Sequence, residues 1–117
     1  HFLAYAPTMD PPNVLPYAQD RYRGEAARLY GVLDRRLADR DYVAGDYSIA
    51  DMAIWPWASL WEKQEQDLTP FANLRAWLDR VGDRPAVQTG RGLHLDLRGG
   101  TTNDKDAQKI LFGRKAR

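Results

Sequence analysis

The sequence predicts an all-α fold, a bundle of helices around one core, on three grounds. Apolar residues recur at spacings of three and four from Ala18 to Leu37, which is the period of one helical face. Ser48-Ile49-Ala50-Asp51 has the form of a capping box, with apolar residues on both sides. Thr69-Pro70 and Pro85 put proline where a helix starts and its missing amide is not needed. A chain of 117 residues suffices for one such core and buries about two thirds of its unfolded surface.

Taken in order, the opening His1-Phe2-Leu3-Ala4-Tyr5 is apolar and aromatic with no cap before it, as expected for the end of a helix begun upstream. Pro7, Pro11, Pro12 and Pro16 then punctuate a loop, because proline lacks a donor and restricts the residue before it. The first full helix is expected over about 14–40, capped by Asn13, with Ala18, Tyr22, Ala26, Leu29, Leu33 and Leu37 inward. Gly24 and Gly31 within it imply close packing by a neighbour, since each costs roughly 1 kcal/mol relative to alanine.

Val43-Ala44-Gly45-Asp46-Tyr47 forms a turn into the second helix. Ser48 is placed to accept from the Asp51 amide and Asp51 to accept from the Ser48 amide, while Tyr47 and Met52 are spaced for a hydrophobic staple. The helix they start, about 49–66, is apolar nearly all round in its first half, so its Trp55, Trp57 and Trp61 are expected in the core. Pro56 should kink it by clashing with the Met52 carbonyl. A third helix, capped by Thr69, turns Phe71, Leu74, Leu78 and Val81 inward, and a fourth runs from Pro85 or Ala86 to about Gly92. The expected division is a helical domain over 1–93 and a polar, basic tail over 94–117, with six Lys/Arg against three Asp.

A net charge of +1 supplies no global field to gather nucleic acid or anionic lipid. No apolar run approaches the roughly 20 residues that span a bilayer, so neither nucleic acid nor a membrane is expected as partner. The chain has no cysteine, which excludes a cysteine nucleophile and thiolate metal sites here and fits a cytoplasmic protein. His1 and His94 lack any paired carboxylate pattern, so no metal site is assigned.

The run Tyr42-Val43-Ala44-Gly45-Asp46-Tyr47-Ser48-Ile49-Ala50-Asp51, followed by Met52-Ala53-Ile54-Trp55-Pro56-Trp57, resembles the motif that opens the sixth helix of glutathione transferases. Tyr5-Ala6-Pro7, Pro16-Tyr17-Ala18-Gln19-Asp20-Arg21-Tyr22 and Arg84-Pro85-Ala86-Val87 resemble the bacterial nu-class and prion-like regulator branch. Two departures stand out: a longer loop around Pro11-Pro12-Asn13, and Pro70-Phe71-Ala72 where the family has Phe-Pro. The resemblance covers residues 1 to about 92 and implies a glutathione-transferase C-terminal-like helical bundle. It also implies a preceding thioredoxin-like domain with the main glutathione site, assembly as a homodimer, and glutathione-dependent disulfide reduction or conjugation.

Within that resemblance no catalytic residue falls in this chain, and residues 1–117 alone are expected to be inactive. Their expected role is one wall of the site for a small electrophile, a disulfide or a second glutathione. Arg21 matches an arginine that points into the glutathione cleft, where its planar fork would hold a carboxylate by two charge-assisted hydrogen bonds. The alternative is a solvated surface arginine. Tyr17, four residues earlier on the same face, is a candidate for the cleft wall or for interdomain packing. Phe2 and Tyr5 are candidates for an acceptor pocket or for core burial. A non-catalytic scaffold for dimerisation or protein interaction is the alternative to the enzyme.

Overall fold

The computed structural model describes residues 15–93. Four α-helices follow one another: α1 (Pro16–Arg36), α2 (Ile49–Ala58), α3 (Ala72–Gly82) and α4 (Pro85–Gly92), with a short 3-10 turn at Glu62–Gln64. The described fold is thus all-α, as the sequence predicts.

The core sits on α3, which packs against each of the other three helices. Leu74, Trp77, Leu78 and Val81 fall at the i, i+3, i+4, i+7 positions of one stripe. Leu74, Trp77 and Val81 are fully buried, and Leu78 and Phe71 pack against them. Burial of the two aliphatic side chains contributes about 2 kcal/mol each. The expectation that α2 runs through the middle of the core is corrected here. Only Asp51, Trp55 and Ala58 of α2 are buried, whereas Trp57 is 72% and Ile49 82% exposed. A helix apolar all round can bury only the side facing α3 when nothing covers the other among the described residues.

Other boundaries also move. α1 is 21 residues long, about 30 Å, and ends at Arg36 rather than near Arg40. Its N-cap is Leu15, not Asn13, which lies outside the described residues. Its buried face is rotated from the expected one: Tyr30 is buried while Leu29 and Tyr22 are exposed, with Ala26, Leu33 and Leu37 inward as expected. A Cβ on Gly31 would touch Phe71 at 3.6 Å, whereas one on Gly24 would meet nothing within 4 Å, so close packing holds for Gly31 alone. The close approach that the sequence did not signal is at Gly82, where a Cβ would lie 3.2 Å from the Trp55 ring. α2 stops at Ala58, two residues after Pro56, instead of continuing kinked to Gln66. Thr69 caps nothing: its amide and hydroxyl donate to Asp67 Oδ1 at 2.8 and 2.6 Å, and the N-cap of α3 is Phe71.

The amide that Thr69 leaves unsatisfied is served from another helix. Asp34 of α1 accepts from the Leu74 amide at 2.9 Å, and from the Asn73 side chain at 3.3 Å. It therefore does the work of an N-cap for α3 across forty residues of chain. The C-terminal carbonyls of α2 are met in the same way. Gln64 donates to the Trp57 carbonyl at 2.8 Å, and the Tyr30 hydroxyl donates to Gln64 Oε1 at 2.9 Å with the Ala58 carbonyl 3.3 Å away. Burial pushes the Tyr30 hydroxyl pKa up.

The capping box at α2 forms as expected. Ser48 Oγ accepts from the Ala50 amide at 3.2 Å, and Asp51 Oδ2 accepts from the Ser48 amide at 3.0 Å. Asp51 is fully buried, and its second oxygen takes the Val43 amide at 3.0 Å and the Trp77 indole at 2.8 Å. Burial raises the pKa of this carboxyl, but the hydrogen bonds from Val43, Trp77 and Ser48 outweigh it and leave the group below its ordinary range. Tyr47 is partly buried, with the Tyr42 ring edge-on at 5.4 Å and the Arg84 guanidinium 3.6 Å from its ring centre. Met52 shares a cavity wall with Tyr47 but stays half-exposed, so the expected staple is at most open on one side. Gly45 adopts φ +103 in the turn before the box, where its amide meets the Tyr42 carbonyl at 2.9 Å.

Two outcomes are expected. Asp34→Ala should destabilise the protein by about 1 kcal/mol, the usual cost of a lost N-cap, and urea melts of the two proteins measure it. Asp51→Asn should cost more, about 3 kcal/mol, because one amide oxygen replaces two acceptors and its NH2 faces a donor. A carboxyl pKa depressed by folding stabilises above the unfolded pKa of about 3.9 and loses that contribution as pH falls through the folded value. The gap between Asp51 protein and its asparagine variant should therefore be full at neutral pH and narrow below about pH 4; a pH-independent gap would contradict the assignment.

Candidate functional site

The N-terminal half of α1 carries the residues singled out for ligand contact. Proline in the first turn fixes where the helix begins, and the 3.6-residue period then sets Tyr17 and Arg21 one above the other on one face. Tyr17 is 82% exposed, so within the described residues it is not a packing residue. The Arg21 side chain is 60% exposed.

The surrounding charges are distributed unequally. Arg28 clamps both oxygens of Glu25 through bonds of 2.7 and 2.9 Å, and this bond is the main cause that holds the Glu25 carboxyl below its ordinary pKa. Arg23 pairs with Asp20 at 3.1 Å and with Glu65, tying α1 to the loop after the 3-10 turn. Arg21 is left 3.7 Å from Glu25, beyond hydrogen-bonding distance to an oxygen already taken by Arg28. Arg21 thus keeps only a long ion pair to a carboxylate that Arg28 already holds, with exposed Tyr17 one turn before it on the same face.

Phe2 and Tyr5, the other two candidates, lie outside the described residues, as does the tail over 94–117. Tyr47, Ser48, Asp51 and Met52 stand together at the start of α2, with Ser48 and Asp51 spent on structure; Asp51 accepts three N–H hydrogen bonds and a longer one from the Ser48 hydroxyl and is fully buried.

Two groups missed by sequence reasoning complete the picture. Trp77 is the partner of Asp51, and its place three residues after Leu74 on the α3 stripe was the available signal. An apolar groove of about 550 Å3 between α1 and α2 is lined by Leu29, Tyr30, Leu33, Ile54 and Trp57; the exposure of Trp57 on its wall had no local signal. Among the described residues no helix is long and apolar enough to cross a membrane.

Residues 3–85 match the family model described as glutathione S-transferase, C-terminal domain. The chain is 43% identical over 83 residues to the disulfide-bond oxidoreductase YfcG of Escherichia coli K12, covering 70% of this chain and 38% of that protein. It is 42% identical over 99 residues to the disulfide-bond oxidoreductase YghU of the same organism, covering 78% and 33%. It is 54% identical over 86 residues to glutathione S-transferase 2 of Schizosaccharomyces pombe, covering 61% and 37%. The chain spans little more than a third of the length of these relatives. The matched residues include the capping box, the buried indole that serves it and the exposed Tyr17–Arg21 face, and they show that this chain belongs to the glutathione S-transferase C-terminal domain family.

Proposed function

We propose that the complete protein is a cytoplasmic, homodimeric glutathione-dependent enzyme of the nu-class and prion-like regulator branch, reducing disulfides or conjugating electrophiles. Residues 1–93 form its helical domain and 94–117 its tail. A thioredoxin-like domain supplies the thiolate site, and this chain supplies one wall of the cleft. The identities to two proteins named disulfide-bond oxidoreductases support the reaction class. The observation that carries the wall is Arg21, held beside exposed Tyr17 with its nearest carboxylate engaged by Arg28.

In this reading the thiolate of one glutathione attacks a substrate disulfide, forming a mixed disulfide and releasing one substrate thiolate that takes up a proton. A second glutathione thiolate attacks the mixed disulfide at the glutathione sulfur, yielding glutathione disulfide and the second substrate thiol. Two glutathiones are oxidised as one disulfide is reduced. Arg21 anchors a glutathione carboxylate and so sets the sulfur's approach; Tyr17 covers the peptide, and Phe2 and Tyr5 line the acceptor side.

Two outcomes test the reading. Arg21→Ala in the complete protein should weaken binding of glutathione or glutathione disulfide by about 10- to 150-fold, the range for a hydrogen bond to a charged group. Arg21→Lys should recover part of that, since it keeps charge but loses the fork. Calorimetric titration measures both, and unchanged affinity in Arg21→Ala would remove this contact. Residues 1–117 alone should show no glutathione-dependent disulfide turnover, because the thiolate site lies in the other domain. Turnover by this chain would refute the division of labour.

A further inference from the structure

Arg21, Glu25 and Arg28 follow one another along one side of α1, at spacings of four and three residues. The helical neighbours of Arg21, three and four residues away, are Tyr17, Ala18, Gly24 and Glu25, so Glu25 is the carboxylate that its own helix offers it. The neighbours of Arg28 at the same distances are Gly24, Glu25, Gly31 and Val32, and again Glu25 alone is charged. One carboxylate is thus contested by two guanidinium groups. Arg23 stands outside the contest, being paired with Asp20 and Glu65.

Arg28 holds the contested group. Its Nε donates to Glu25 Oε2 at 2.9 Å and its Nη2 to Oε1 at 2.7 Å, whereas Arg21 Nη1 stands 3.7 Å from Oε2. The outcome agrees with the helical preference for an acidic residue N-terminal to its cation. A grip on both oxygens also fixes the plane of the carboxylate, which a single contact does not.

We propose that Arg28 is a positioning residue for ligand binding: by gripping Glu25 it keeps that carboxylate from closing on Arg21, and so leaves Arg21 to a carboxylate of the ligand. The proposal rests on the reading of Arg21 given above. Glu25 acts in it as an intramolecular competitor. Attached one turn away on the same helix, it reaches Arg21 without diffusion, and a ligand has to displace it. Loss of Arg28 lets the 3.7 Å pair close into a hydrogen-bonded one. Because exposed ion pairs are weak, the effect on binding is about two- to five-fold, well short of the effect of losing Arg21 itself.

The test is calorimetric titration of the complete protein with glutathione and with glutathione disulfide, using Arg28→Gln, Glu25→Gln and the two combined, with melting curves to confirm that all are folded. Arg28→Gln should weaken binding by about two- to five-fold. Glu25→Gln removes the competitor and should bind at least as tightly as the unsubstituted protein; in that background Arg28→Gln should leave affinity unchanged. Such a cycle isolates what Arg28 does through Glu25. If Arg28 instead acts by its own positive field on an anionic ligand, its loss weakens binding equally in both backgrounds, which would overturn the proposal. A purely structural role for the pair predicts that Glu25→Gln weakens binding as Arg28→Gln does, since either change breaks it, and that result would overturn the proposal too. Arg21→Ala separates the positioning role from the reading beneath it. Unchanged affinity in Arg21→Ala removes both, whereas weakened binding there with none in Arg28→Gln keeps Arg21 as a ligand contact and refutes the positioning role alone.

Discussion

The rest of the described structure depends on keeping one carboxylate ionised in the interior. Among the described residues Asp51 forms no ion pair; three N–H donors and the start of α2 supply the compensation. Desolvation of an ion costs several kcal/mol unless its lone pairs are met, so the donors must all be in place together. They come from the loop before the helix, from the N-cap and from the centre of α3. Satisfying Asp51 therefore fixes the entry of α2, the turn at Val43 and the rotation of α3 in one arrangement. That is why a residue with the appearance of a buried catalytic acid is here a structural one.

The same logic recurs at the other helix ends. α2, α3 and α4 have ten, eleven and eight residues, lengths at which an isolated helix in water is marginal. Their stability has to come from packing and from groups that meet unpaired termini. Asp34 reaches the start of α3 from α1, Tyr30 and Gln64 close the end of α2, and Trp55 donates to the Leu78 carbonyl at 2.9 Å. Among the described residues no buried side-chain nitrogen or oxygen lacks a partner. α2 and α3 are each completed by a neighbouring element, which couples them to the rest of the bundle.

What could be read beforehand follows from this division. Features written into adjacent residues were legible: the capping box, the proline start of α4, and the stripe of α3 apart from Trp77. Features that depend on a distant partner were not. Nothing near Thr69 says that Asp67 will take its hydroxyl and Asp34 will take over the cap. Nothing near Trp57 says that α3 offers room for Trp55 but not for an indole two residues on, roughly 200° around the helix. For the proposed ligand face, the sequence could place Tyr17 and Arg21 on one side of a helix. That Arg28 closes on both oxygens of Glu25 and leaves Arg21 only a 3.7 Å ion pair to it is visible only in three dimensions.

Arg21 gains its meaning from the rigidity behind it. A guanidinium recognises a carboxylate selectively only if its fork is held in direction, since a free-swinging side chain loses rotamer entropy on binding. α1 is fixed along its length by contacts to two other parts of the fold: Arg23 to Glu65 and Tyr30 to Gln64 at the 3-10 turn, and Asp34 to Leu74 in α3. These anchors define the helix axis and rotation, and hence the direction in which Arg21 leaves it. The polar pairs on α1 thus connect the buried carboxylate network to the exposed face through α3. In the cleft proposed above, such a wall would contribute position more than reactivity.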